Sequence, residues 1–123
     1  MNLLVVFLGG GLGACARYVL QGTVYRWTGV SFPYGTLVVN VLGSLIIGIL
    51  MTSFEDRFLI SPTMRLFLTV GILGGFTTFS SFSYETVALF LEGSIAAALA
   101  NAGLSLILCL SATWLGTLLG RLL

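Results

Sequence analysis

Four apolar stretches, each about 20 residues or longer, take up most of this chain and decide what it can fold into. Crossing the hydrocarbon core of a bilayer, roughly 30 Å thick, takes about 20 residues of helix. A helix closes its backbone hydrogen bonds within itself, which is what an environment without water demands. The stretches cover about residues 3–24, 35–54, 63–91 and 94–122, with only short connectors between them. Since 58% of the residues are hydrophobic and 7% charged, against about 25% charged in a soluble domain, nothing is left over for a soluble unit. The expectation is an all-α integral membrane protein, residues 1–123 forming a single domain of four transmembrane helices.

The few polar and ionisable residues exclude several classes of function. Five arginines, no lysine and four acids give a net charge of +1, so there is no basic surface for nucleic acid. No histidine is present, which removes the commonest general base and metal ligand. The serines have neither His nor Lys to activate them, and no Gly-rich P-loop is found, so neither covalent catalysis nor ATP-driven transport is indicated. Cys15 and Cys109 fall inside apolar spans without further ligands nearby and read as reduced thiols packed like small hydrophobes. The amino-terminal "MNLLVVFLGG" has no positive n-region, so the first stretch is expected to stay as a membrane helix.

Within the spans, small and polar residues carry the information. Gly9 and Gly13, four apart in "GGGLGA", share a helix face that another backbone could approach closely. The connector "YRWTGVSFPYG" combines interfacial Tyr25 and Trp27 with the breakers Pro33 and Gly35. Pro62 suits the first turn of the third helix. Asn40 lies in the first half of span two, where it serves either an interhelical hydrogen bond or a polar path. In span four Asn101, Ser105, Cys109 and Thr113 recur every four residues as one slightly inclined stripe, fit for a packing seam or for the wall of a conduit.

The third region is too long to be ordinary. At 1.5 Å per residue, about 29 residues would make a helix of about 43 Å, well beyond the hydrocarbon core. At its centre stands "GGFTTFSSFSYE", residues 74–85. Gly74 and Gly75 can release the helix, and Thr77 and Thr78 can compete for its backbone bonds, so the third helix is expected to be broken near its middle. Carbonyls freed there would suit a small cation such as Na⁺. Phe76, Phe79 and Phe82 recur every three residues, with Thr77, Ser80 and Ser83 offset by one. A kinked helix with aromatic packing accounts for such a pattern. So does a weak anion surface, because ring edges are positive and hydroxyls donate, and conduction needs sites that attract without trapping.

Charge balance leaves orientation open. Arg57, Arg65 and Arg121 fall on one side, Arg26 on the other, with Arg17 joining Arg26 if it snorkels. Three against two is a nearly absent bias, compatible with one orientation set by the first helix or with insertion both ways and antiparallel pairing.

With "GGGLGACARY", "YGTLVVNVLGSLIIG" and "GGFTTFSSFSYE" in this order, the chain resembles the CrcB/Fluc family of small fluoride channels. The three motifs cover about a third of the sequence, and length and span number agree. The resemblance implies an antiparallel homodimer in the bacterial inner membrane, each copy inverted relative to the other. Two pores along the interface would export cytoplasmic fluoride passively, after its entry as neutral HF. It implies a structural Na⁺ at the dimer centre on the main-chain carbonyls of Gly74 and Thr77. Phe79 and Phe82 would meet fluoride with their edges, Asn40 would donate from span two, and Ser80 and Ser81 would add hydroxyls. Ser105 and Thr113 would form a polar track, and Arg17 a vestibule charge. Ser81 stands where the family often has Thr, which keeps the hydroxyl; Asn101 and Cys109 occupy variable track positions, and Glu85 matches an acid without an assigned role. The competing reading is a dual-topology, proton-coupled small multidrug exporter, which needs a carboxylate deep in the first span; this chain has none there.

Overall fold

The computed structural model describes residues 1–56 and 60–123; Arg57, counted above among the loop charges, lies outside the described residues. The chain is all-helical, with no strand among the described residues. Helix α1 is Asn2–Thr28, α2 is Tyr34–Asp56, α3 covers residues 62–76, α4 is Phe79–Leu91 and α5 is Ile95–Leu122. The third span, Pro62–Leu91, contains α3 and α4, so four helices are long and apolar enough to cross a membrane.

The ends of the helices follow from local chemistry. Helix α1 runs past Tyr25 and Trp27, four residues further than the sequence boundary at residue 24, because nothing stops it before Gly29. Gly29 takes φ 75° and donates its N–H to the Tyr25 carbonyl at 2.9 Å, a left-handed closure that suits glycine. Pro62 occupies the first turn of α3, where its missing N–H costs nothing, and Ser61 caps that turn through the Met64 N–H. Helix α4 ends in a Schellman arrangement: Gly93 has φ 83° and Ser94 donates to the Leu89 carbonyl at 2.9 Å. Helix α5 starts at once, so α4 and α5 form a tight hairpin.

Packing is organised around glycine. Helix α1 lies against α3, and α2 lies along α5. A Cβ on Gly13 would stand 2.9 Å from both the Ile72 carbonyl carbon and the Phe76 nitrogen, and Gly9 faces Gly71 as closely. In the second pair, a Cβ on Gly48 would be 3.0 Å from the Thr117 nitrogen, and one on Gly116 would be 3.1 Å from the Ile49 nitrogen. The neighbour is backbone in each case, so no rotamer change could make room. The shared face of Gly9 and Gly13 is thus a true close-approach surface, and both are buried.

The glycines of the central motif behave differently from expectation. Gly74 is helical, with φ −61° and ψ −37°, and Gly75 belongs to the same turn, Gly74–Phe76. Helical geometry is lost three residues further on, where Thr77 (φ −86°, ψ 158°) and Thr78 (φ −152°, ψ 107°) are extended. Gly75 serves packing instead: its missing Cβ lets the Gly10 carbonyl and the Ala14 nitrogen approach. Ahead of it, Phe67–Leu73 has π-helical pitch, a wider and uncommon coil.

Candidate functional site

The extended pair Thr77–Thr78 is held by residues from two directions. From α2, Asn40 Oδ1 accepts the Thr78 N–H at 2.7 Å, and Asn40 Nδ2 donates to the Thr78 carbonyl at 3.0 Å. From α4, the first turn is closed by Thr78 itself, whose Oγ1 accepts the Ser81 N–H at 3.2 Å as an N-cap. The same hydroxyl donates to Ser81 Oγ at 3.0 Å and lies 3.3 Å from Ser80 Oγ. Thr77 keeps one foot in α3, its N–H and its hydroxyl both reaching the Leu73 carbonyl at 3.0 Å.

These bonds settle the fate of two carbonyls. In an unbroken helix the N–H of residue i closes on the carbonyl of residue i−4. The Thr78 N–H would then serve Gly74 and the Ser81 N–H would serve Thr77, but both donors are turned elsewhere. The carbonyls left without those donors are Gly74 and Thr77, the two that the family resemblance assigns to a cation.

Next to this interruption lies an open cleft of about 430 Å³ between α2, α3, α4 and α5. Asn40, Gly74, Thr77, Thr78, Phe79, Phe82, Ser105 and Cys109 are among its lining residues, and among the described residues no charged side chain lines it. The rings of Phe79 and Phe82 have centroids 5.3 Å apart and are tilted by 52°, so they do not stack face to face. Phe79 is 78% exposed, which in a one-chain view marks a side chain projecting from the protein surface. The cleft offers hydroxyls, one carboxamide, two aromatic rings and neutral carbonyls. It can receive a small ion while presenting no formal charge to hold it.

The structure brings most of the sequence-derived site residues together, and separates some. Asn40, Gly74, Thr77, Phe79, Phe82 and Ser105 share the cleft, with Ser80 and Ser81 joined to it through Thr78. The residues of the α5 stripe have different neighbours. Asn101, 2% exposed, donates to Thr86 Oγ1 at 2.8 Å and serves as an α4–α5 bond. Ser105 and Cys109 line the cleft and Thr113 does not; the Thr113 hydroxyl bonds the Cys109 carbonyl at 3.0 Å, and its carbonyl faces Gly48. Ser83 returns its hydroxyl to Phe79 of its own helix at 2.9 Å, so Ser81 and not Ser83 continues the hydroxyl series. Arg17 is half-buried on α1, four residues beyond Gly13, and outside the cleft.

A second polar group escaped sequence reasoning. Thr36, 2% exposed at the start of α2, donates to Glu85 Oε1 at 2.7 Å and accepts from Gln21 Nε2 at 3.1 Å. Tyr25 Oη lies 3.4 Å from the same Thr36 oxygen. Among the described residues Glu85 Oε2 is buried without a hydrogen-bond partner. Gln21 and Thr36 gave no sequence signal beyond being polar in apolar spans. Thr78 did: a threonine before a periodic aromatic run, with serine three residues later, is a recognisable helix start.

Comparison with known proteins now bears on the site. The family model described as "CrcB-like protein, Camphor Resistance (CrcB)" matches residues 4–117. A protein of Magnetococcus marinus named "Fluoride-specific ion channel FluC" is 48% identical over 123 residues, covering 100% of both chains. Proteins of the same name from Hydrogenovibrio crunogenus and Citrifermentans bemidjiense are 48% and 45% identical, covering 98% and 99% of this chain and 92% and 98% of their own. The four apolar helices agree with a multi-pass protein of the bacterial membrane. From the interrupted third span to the glycine-lined first, the residues that build this site lie inside the matched region, and the chain belongs to the CrcB family.

Proposed function

We propose that this protein is a fluoride-selective channel that lets cytoplasmic fluoride leave the cell passively. The observation that carries the proposal is the uncharged cleft in which a tilted phenylalanine pair stands beside hydroxyl and amide donors. A positive ring edge and a hydroxyl each attract an anion weakly, and several together can replace part of its hydration without trapping it. The names of the relatives supply the ion; the cleft supplies a surface of the right electrostatic sign. The chain acts as a conduit and not as an enzyme, in keeping with the family to which it belongs.

The same proposal takes two copies in opposite orientations, with two pores along their interface. It is supported by the near-balance of arginines about the spans and by the strong exposure of Phe79, a pore residue that one chain leaves uncovered. Asn40, Phe79, Phe82, Ser80 and Ser81 would form the anion path, with Ser105 and Cys109 continuing it along α5. Thr113, its hydroxyl bonded to its own helix, would border that path through its backbone at most. Arg17 would supply the positive charge near the entrance.

A structural sodium ion belongs to the reading as well. Gly74 and Thr77 fit it, since both carbonyls have lost the helix donors that would otherwise occupy them. Neutral main-chain oxygens suit a hard monovalent cation, and two per chain give four in a symmetric pair. The ion would join the two copies through these oxygens; in this reading it takes no part in moving fluoride.

The decisive experiment is fluoride efflux from liposomes containing the purified protein, followed with a fluoride-selective electrode. Fast fluoride release with chloride retained is expected. A comparable chloride leak, or no fluoride release above empty liposomes, would overturn the proposal.

A further inference from the structure

We propose that Asn40 is a positioning residue: by pairing with both backbone groups of Thr78, it holds the third span in its interrupted form. The sequence suggested only that Asn40 donates a hydrogen bond, to a neighbouring helix or to a passing ion. The geometry is more specific. One carboxamide takes the N–H of Thr78 at 2.7 Å and its carbonyl at 3.0 Å, so it presents to that residue what a neighbouring β-strand would. Thr78 has the matching extended backbone, φ −152° and ψ 107°, and is 6% exposed.

The pairing answers a problem that the membrane poses. Two consecutive non-helical residues leave backbone groups that lipid cannot satisfy, and such groups persist only where protein supplies partners. From a helix 38 positions away in sequence, Asn40 supplies the partner of the Thr78 N–H and a further donor to its carbonyl, which as the N-cap carbonyl also opens α4. Without it, the acceptor that helical geometry assigns to the Thr78 N–H is the Gly74 carbonyl, and taking it would re-form the helix. That change would consume a carbonyl assigned above to the cation. It would also rotate Phe79, the next residue, out of its place beside Phe82. Each Asn40 amide has a second Nδ2 hydrogen, so holding Thr78 does not exhaust it as a donor to the cleft. One side chain thereby connects the anion path to the cation ligands.

The experiment compares purified wild type with Asn40→Leu, which removes both bonds at similar volume, and with Phe79→Ile, which leaves the clamp intact. Backbone ¹³C shifts of Thr77 and Thr78, measured by solid-state NMR in lipid, report directly whether these residues are extended. Extended shifts are expected in wild type and Phe79→Ile, and helical or averaged shifts in Asn40→Leu. If leucine prevents folding, Asn40→Ser replaces it, being too short to pair with both groups, with the same expectation. Retention of extended shifts in the Asn40 variant, even with fluoride flux lost, overturns the proposal and leaves Asn40 as an ion contact only. A parallel sodium titration of thermal unfolding rests on the sodium reading. The midpoint should rise by about tenfold or more in the Asn40 variant, as expected when a ligand carbonyl is lost, and stay within about twofold of wild type in Phe79→Ile. Wild type insensitive to sodium would refute the cation reading alone, while the shifts would still decide the role of Asn40.

Discussion

Replacing Gly75 with alanine tests the contact on which the position of the motif depends. A Cβ there would stand 3.1 Å from the Ala14 nitrogen and 3.1 Å from the Gly10 carbonyl carbon, with the Gly10 oxygen closer still. All three are backbone atoms of α1, so relief requires the helices to separate. Overpacking of this kind costs about 1–3 kcal/mol. Alanine also gains up to about 1 kcal/mol in helix propensity over glycine, which would blur a single measurement. Gly22→Ala provides the reference: Gly22 is on the same helix pair's outer side, exposed, with nothing within 4 Å of its missing Cβ. The propensity gain is common to both variants to first order. Their difference therefore isolates the packing cost, and about 1–3 kcal/mol corresponds to roughly 5- to 150-fold in an unfolding equilibrium. The assay is reversible unfolding in mixed micelles at fixed protein concentration, followed by helical circular dichroism. Equal stability of the two variants would refute the close approach of α1 and α3 at this point. Fluoride flux should fall with stability, because Gly75 precedes Thr77 by only two residues.

Replacing Phe79 or Phe82 with isoleucine should cut fluoride efflux by about tenfold or more while the assembly remains intact by size-exclusion chromatography, as the edge electrostatics go and the bulk stays. Thr36→Val should destabilise by about 1–3 kcal/mol in thermal unfolding, since it strands both Gln21 Nε2 and a second oxygen of Glu85. Ser105→Val and Thr113→Val separate the two halves of the α5 stripe: efflux should fall for the first, whose hydroxyl side lines the cleft, and hold for the second. Equal loss in both would restore Thr113 to the path.

Much of this arrangement was legible before any coordinate. The four spans followed from length and hydropathy alone, and the close-approach face of α1 from the four-residue spacing of Gly9 and Gly13. Gly74, Thr77, Phe79 and Phe82, which line the cleft, were named through the family resemblance that the motif carries; Thr69 and Leu73, which line it too, were not named. What failed did so where tertiary partners decide. Glycines looked like the helix breakers, yet a glycine turn stays helical when a neighbouring helix packs on it, and the departure falls at Thr77 and Thr78, where Asn40 offers bonds in exchange. The α5 stripe divided for a geometric reason: residues four apart advance by about 40° beyond a full turn, so three steps carry the face through about 120°. It therefore meets α4 at Asn101, the cleft at Ser105 and Cys109, and α2 at Thr113. The Phe and hydroxyl series, counted across residues 76–83, bridged a point where helical periodicity does not continue.

The glycine-zipped pairs have a consequence for how the protein is made. The first span seats against the third and the second against the fourth, so neither main partner is the next segment to leave the ribosome. Each early helix therefore gains its main glycine contact only once a span two places later has entered the bilayer. Assembly is thus interleaved, and the second span is completed only by the last. A chain halted after Glu92 would keep the α1–α3 pair and yet leave Gly48 facing lipid. Such a fragment would carry the entire central motif without the helix that closes the bundle around it.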